Sequence, residues 1–236
     1  LIIERVLYEI FSNQFLKENL AFRGGTAIHK LFFDPQPRYS EDIDLVQITP
    51  SPIGEILTVI RKQLSFLGDA RYKKTEHNNT LTYKFQTEFE PVIDAKLKIE
   101  INTREHFSVY GFKEIERKIE NKWFSADYKI KSYTLEELLS TKLRALFQRR
   151  KGRDLFDLWY AISKVSPNFT QIINSFHKYL ENENLLISSA DFITNLNDKI
   201  DNPSFLGDTT GLLHPEIKYN PTEAYTIIKN KILSKF

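Results

Sequence analysis

Two aspartates separated by one residue, Asp42 and Asp44, follow the stretch Gly24-Gly25-Thr26, with Asp42 sixteen residues after Thr26. The run Asp42-Ile43-Asp44-Leu45-Val46 alternates as a strand does, and side chains two apart on a strand share a face. Asp42 and Asp44 therefore project together, while Ile43 and Leu45 turn to a core. Adjacent carboxylates repel and need a cation. Hard divalent ions such as Mg²⁺ or Mn²⁺ take oxygen ligands and commonly bridge to phosphates. The plain alternative is a strand end with two solvated acids. Gly24-Gly25-Thr26 at a strand-to-helix junction lets backbone approach a phosphate and aims amide N–H groups at it, with the Thr26 hydroxyl as a further donor; the alternative there is an ordinary tight turn. Glu100 is a third acid. It shares the polar face of the strand Leu97–Asn102 with Lys98 and Asn102, opposite Leu97, Ile99 and Ile101. A neighbouring strand that brings one more carboxylate to an Asp-x-Asp pair suits two-metal phosphoryl chemistry; otherwise Glu100 is an acid on a solvent face.

A second set of candidates lies further along the chain. Lys142 falls on the apolar stripe Leu135, Leu138, Leu139, Leu143, Leu146 of a helix expected over 134–150. A lysine there must snorkel to water or meet an anion, because burying an unpaired ammonium is very costly. Then comes Arg149-Arg150-Lys151-Gly152-Arg153-Asp154-Leu155-Phe156-Asp157. Asp154 and Asp157, three apart, share one helix face. The basic cluster suits phosphates of a nucleic acid, and the plain alternative is helix capping, with Asp154 in a first turn favoured by the helix dipole.

These residues need elements to hold them. Apolar spacing predicts helices over 2–18, from Ala27 to the residues before Pro35, over 53–67, over 134–150 with a Thr134/Glu137 capping box, from Arg153 through Trp159, and around 169–181, 189–200 and 222–235. Strands are expected at 42–46, 80–85, 97–102 and, more weakly, 128–133, with a hairpin break at Glu88–Pro91. The fold class is α+β: a mixed sheet with flanking helices over 1–133, then an all-helical part over 134–236.

Composition agrees with a packed chain of one large or two modest domains. Of 236 residues 41% are hydrophobic, and there are 18 Phe, 11 Tyr and 2 Trp. Lys and Arg number 33 against 31 Asp and Glu, a net charge of +2 that excludes a polycationic tail and makes the run 149–153 the main candidate for nucleic-acid contact. With no cysteine, disulfides, thiolate zinc, iron–sulfur clusters and thiol nucleophiles are excluded, which fits a reducing cytoplasm. No apolar run approaches the roughly 20 residues of a membrane span. Glu4, Arg5 and Glu9 argue against a leader at the start, and a chain without methionine that opens at Leu1 is expected to be trimmed there.

Taken in order, Phe22-Arg-Gly-Gly-Thr-Ala27, Arg38-Tyr-Ser-Glu-Asp-Ile-Asp-Leu45, the strand 97–102, the Lys142 helix and Arg153-Asp-Leu-Phe-Asp-Leu158 resemble the AbiEii/AbiGii family of nucleotidyltransferase toxins, to which the MenT toxins are related. The resemblance spans roughly residues 20–165. It implies a polymerase-β-like nucleotidyltransferase core and a helical domain that contributes Lys142 and Asp154. Gly24, Gly25 and Thr26 match the motif that holds the triphosphate; Asp42 and Asp44, the metal-binding pair; Glu100, the position of a further acid, as a third metal ligand or a base. Lys142 matches the lysine of the third motif, and Arg153, Asp154 and Asp157 match the last one. That motif usually has lysine where Arg153 stands, which changes the geometry while keeping the charge.

By the same resemblance the reaction is Mg²⁺-dependent transfer from an NTP to an RNA hydroxyl, such as the 3′ end of a tRNA, which stops translation. Arg149, Arg150 and Lys151 would touch the RNA. The missing cysteines and short apolar runs lead us to expect a cytoplasmic protein without a membrane partner; the resemblance implies a cognate antitoxin encoded nearby that need not form a stable complex, and hence a monomer. Two other classes stay open: a metal-dependent nuclease, for which Asp94-Ala-Lys96 offers an acid-x-lysine element, and a module that binds a nucleotide or a partner without transferring anything.

Overall fold

The computed structural model describes residues 1–40, 42–76, 78–87 and 90–236. Glu41 of the acidic motif and Glu88 and Phe89 of the expected hairpin break lie outside them. The chain forms two compact units, one of residues 1–27 and 41–133, the other of residues 28–40 and 134–236. The sequence reading divides at the same place, after Tyr133, but leaves 28–40 with the first part.

The first unit begins with α1 (Ile2–Ser12) and α2 (Gln14–Asn19), then β1 (Leu20–Arg23). One helix is expected over 2–18, and two are found. Asn13 separates them because its backbone is extended and its side chain accepts the Leu16 N–H, capping α2. Next is α3 (Gly24–Phe32), whose residues from Ile28 onward belong to the second unit, then β2 (Asp42–Gln47), α4 (Gly54–Gln63), β3 (Arg71–Lys74), β4 (Asn78–Gln86), β5 (Asp94–Asn102), β6 (Lys113–Glu120) and β7 (Ser125–Ser132). The helix expected over 53–67 stops at Gln63, and a 3₁₀ turn at Ser65–Leu67 completes the stretch.

The strands form a mixed sheet in the order β3-β4-β5-β2-β1-β7-β6. β2 runs parallel to β5, and β1 parallel to β7; the other pairs are antiparallel. Phe22, Ile43, Leu45, Ile99, Ile101 and Leu81 are wholly or almost wholly buried on one face. That face drives the sheet together, since each fully buried Leu, Ile or Phe is worth about 2 kcal/mol of transfer from water. The polar set Asp42, Asp44, Lys98 and Glu100 alternates onto the other face, only partly buried.

The second unit contains α5 (Leu135–Gln148), α6 (Gly152–Val165), α7 (Phe169–Asn182), α8 (Ser189–Ile200), α9 (Pro203–Leu206) and α10 (Pro221–Lys231). Packing joins α5 to α6 and α7, and α10 to α6. Thr134 caps α5 by accepting the Glu137 N–H, and the buried Glu137 carboxylate accepts the Tyr179 hydroxyl of α7 at 2.8 Å. At the other end of α5, Lys199 donates to the carbonyls of Leu146 and Phe147, which helix ends leave unpaired. No helix among the described residues is long and apolar enough to cross a membrane.

Candidate active site

In the first unit, sheet register brings the acids together. Asp44 stands opposite Glu100 and Asp42 opposite Lys98 in the parallel β2–β5 pair. Partnered residues face the same way, so two aspartates, one glutamate and one lysine share a patch. Lys98 Nζ pairs with Glu100 Oε1 at 2.5 Å. Partial burial pulls the Lys98 ammonium down, but Glu100, Asp42 and Asp44 more than reverse this and raise it above its ordinary value. The patch thus already holds a cation among its carboxylates, and that donor set fits a hard divalent ion. Among the described residues no three of His, Cys, Asp and Glu gather closely enough to hold a metal unaided. Asp42 and Asp44 would supply protein oxygens, with substrate phosphates completing the shell, the common arrangement for Mg²⁺.

The glycine turn is built against the same patch. Gly24 has φ +78°, which L residues rarely adopt, and a Cβ there would lie 2.1 Å from Asp44 Oδ2. Only glycine lets the start of α3 approach this carboxylate. Gly25 follows in the first turn. Thr26 is buried, and its hydroxyl donates to the Asp42 carbonyl at 2.6 Å, tying α3 to β2. On β1, Arg23 lies opposite Asp44, and its guanidinium pairs with the buried Glu105 at 2.5 Å.

In the second unit, Lys142 meets acids. Its ammonium lies 2.9 Å from Asp154 Oδ1 and 3.0 Å from Asp157 Oδ2, with both carboxylates wholly buried. Arg149 grips Asp154 with two bonds of 2.7 and 2.8 Å. Arg38 grips Asp157 the same way, through Nε at 2.7 Å and Nη2 at 2.9 Å, and His29 Nε2 lies 2.8 Å from Asp157 Oδ1. Burial pushes both carboxyls up. The cations more than reverse this, mainly Lys142 and Arg149 for Asp154, and Arg38 and Lys142 for Asp157, which is held well below the usual range. Burial outweighs Asp157 at His29 and lowers its imidazole below the ordinary value, so the ring is neutral near pH 7. Three basic side chains, Arg38, Lys142 and Arg149, face two carboxylates, and this surplus favours an additional anion.

The remaining basic residues are placed differently. Arg153 N donates to Asp208 Oδ2 at 3.1 Å, capping α6 from 55 residues away. The Lys151 and Arg153 side chains lie 3.6 and 3.8 Å from the same carboxylate, and Arg150 is exposed. Gly152 has no room for a side chain, since a Cβ would lie 2.0 Å from the Phe205 carbonyl oxygen. Asp94 and Lys96 stand exposed at the start of β5, where Asp94 accepts from Gln86 at 3.2 Å. The sequence reading quoted Arg38 within a motif but gave it no role, and overlooked His29. Their partner, Asp157, is 119 and 128 residues away, and no local pattern signals such a pair. Lys98 was legible as a member of the polar face, though not as the counterion of the acids.

Comparison with known proteins bears on the fold and the family. JHP933 from Helicobacter pylori has a TM-score of 0.62 at 16% identity, over 99% of this chain and 90% of that one. MenT4, a nucleotidyltransferase toxin of Mycobacterium tuberculosis, has a TM-score of 0.60 at 14% identity, over 100% of this chain and 82% of that one. At such identities the likeness is one of fold. No curated protein matches the chain. A family model described as nucleotidyl transferase AbiEii toxin, type IV toxin–antitoxin system, matches residues 5–218. The chain therefore belongs to the AbiEii family of nucleotidyltransferase toxins of type IV toxin–antitoxin systems.

Proposed function

We propose that this protein transfers a nucleotide from an NTP to an RNA hydroxyl, specifically at the 3′ end of a tRNA, and thereby blocks translation. The observation that carries this reading is the juxtaposition of Asp42, Asp44 and Glu100 on one sheet face with the Gly24 turn pressed against Asp44. Asp42 and Asp44 would hold Mg²⁺, which when bound offsets charge on the triphosphate and on the oxygens that attack and leave. The amides that open α3 face outward for want of earlier helical partners and suit the outer phosphates. Glu100 takes the proton of the acceptor hydroxyl. The hydroxyl oxygen then bonds to the α-phosphorus as pyrophosphate departs. Lys98 pairs with Glu100 until the cation arrives.

The second unit supplies chemistry of its own. Arg38, Lys142 and Arg149 together carry a cationic surplus over Asp154 and Asp157 that suits a phosphate, while Asp157, with both oxygens occupied by Arg38, His29 and Lys142, positions Lys142. Arg150, exposed, is the freest of the basic run to meet RNA. We take the protein to act in the cytoplasm, as a monomer, opposed by its antitoxin without a stable complex.

Sequencing of tRNA 3′ ends after expression of the chain in a host tests this. Added nucleotides on a defined set of tRNAs are the expected result. Intact, unextended ends throughout the RNA pool would refute the acceptor, and internal cleavage without any added NTP would mark a nuclease instead.

A further inference from the structure

Transfer chemistry leaves a set of charges on the sheet unused. Partnered residues of β3, β4 and β5 face the same way, so Arg71 lies in one lateral row with Thr82 and Lys98, and Lys73 in the next with Thr80 and Glu100. Lys84 and Lys96 form a third row on the same face. The β2–β5 register continues the first two rows to Asp42 and Asp44. This face therefore passes from Asp42, Asp44 and Glu100 on β2 and β5 to bases on β5, β4 and β3, with Asp94 beyond Lys96 at the start of β5. Arg71, Lys73, Lys84 and Lys96 are all exposed. Among the described residues none of the four has an acidic partner, and β3 and β4 place no acid on this face.

Spacing indicates what such a field would hold. Strands lie about 4.8 Å apart and alternate residues about 7 Å apart along a strand, so the four cations lie roughly 14–17 Å from Asp44. The three phosphates of one NTP are contiguous and span far less. A chain of phosphates separated by sugars matches both the intervals and the extent. Such a chain also needs help here, because Asp42, Asp44 and Glu100 repel it within the roughly 8–10 Å over which charges act in physiological salt.

We propose that Arg71, Lys73, Lys84 and Lys96 form a track for the phosphate backbone of the RNA acceptor, leading its end to Asp42 and Asp44. This rests on the RNA-acceptor reading above and adds a surface distinct from the run 149–151.

The test uses the full chain, the fourfold variant R71Q/K73Q/K84Q/K96Q and a charge-matched control, K178Q/K218Q/K231Q/K235Q. Binding of a single-stranded RNA oligonucleotide is measured by fluorescence anisotropy at several salt concentrations, and Mg-NTP binding by calorimetry. Each lost phosphate contact lowers the slope of log K against log salt by about 0.7, so the fourfold variant loses up to about 3 from its slope and at least 10-fold in affinity at low salt. The control keeps the wild-type slope, and both variants bind Mg-NTP as the wild type does, which also shows that the first unit stays folded. A wild-type slope in the fourfold variant, or an equal loss in the control, overturns the track while leaving the RNA acceptor intact. A wild-type protein that binds no RNA overturns both.

Discussion

Replacement of Asp157 by asparagine tests the buried network of the second unit. The carboxylate takes bonds from Arg38 at 2.7 and 2.9 Å and lies 2.8 Å from His29 Nε2 and 3.0 Å from Lys142. Asparagine keeps the shape but is neutral, and only one of its two polar ends accepts. Arg38 then loses its carboxylate partner at a side chain only 5% exposed. An exposed ion pair is worth at most about 1 kcal/mol, whereas breaking a buried one costs about 3–5 kcal/mol because a charge stays behind in a dry site. Burial decides for the larger figure. In a chain of this size each kcal/mol moves the melting temperature by about 2–4 °C, so D157N should melt about 6–20 °C lower. Urea unfolding followed by circular dichroism measures the loss directly. The double variant R38M/D157N removes both charges and should cost at least about 1 kcal/mol less than the sum of the single changes. A loss below about 1 kcal/mol for D157N, or simple additivity in the double variant, would refute the assignment of Asp157 as the anchor of Arg38 and Lys142.

Three further outcomes follow from the same geometry. His29 has a folded-state pKa below its unfolded value of about 6.5, so the unfolded chain gains a proton first and stability falls as pH drops below about 6.5, by up to about 1.4 kcal/mol per pH unit; H29Q should show a shallower decline in urea midpoint between pH 6.5 and 5.5, and an equal slope would contradict it. The lowered Asp154 and Asp157 carboxyls add nothing in that window, since their contribution is lost only as pH falls below the unfolded value of about 3.9 and through their own lower values. Gly24→Ala forces a left-handed alanine at a cost of about 1–2 kcal/mol and pushes Asp44 aside; Mn²⁺ affinity, read by electron paramagnetic resonance, should fall while the circular dichroism spectrum is kept, and an unchanged affinity would count against the packing of turn on carboxylate. Lys98→Met removes the cation beside Glu100; calorimetric titration with Mn²⁺ in the absence of nucleotide should show tighter binding, and weaker or equal binding would contradict the counterion role.

Much of the first unit was legible because its central strands bury one face. Asp42–Val46 and Leu97–Asn102 alternate cleanly, so the pairing of Asp42 with Asp44 and the polar placement of Glu100 follow from period two alone. What period two leaves open is register: that Asp44 meets Glu100, and Asp42 meets Lys98, depends on a parallel pairing across more than fifty residues of chain. The edge strands were missed for a related reason. All four residues of β3 are exposed, and in β6 only Ile119 is buried, so neither carries an apolar alternation. In the helical unit, Lys142 on an apolar stripe had either to snorkel or to meet an anion, and Asp154 and Asp157 are the anions it meets. Arg38 lies in an irregular polar stretch, where nothing in the neighbouring residues marks it as buried.

The central claim is that the Asp42–Asp44 pair carries nucleotide transfer to RNA. Its most direct test is single-turnover transfer from α-labelled NTPs to a tRNA pool in Mg²⁺, for the wild type, D42N and D44N, with melting temperatures measured alongside. Label on tRNA 3′ ends in the wild type, and a loss of at least about 10³-fold in each folded variant, roughly 4 kcal/mol of barrier, is the expected result. Transfer at the wild-type rate by D42N or D44N would contradict it.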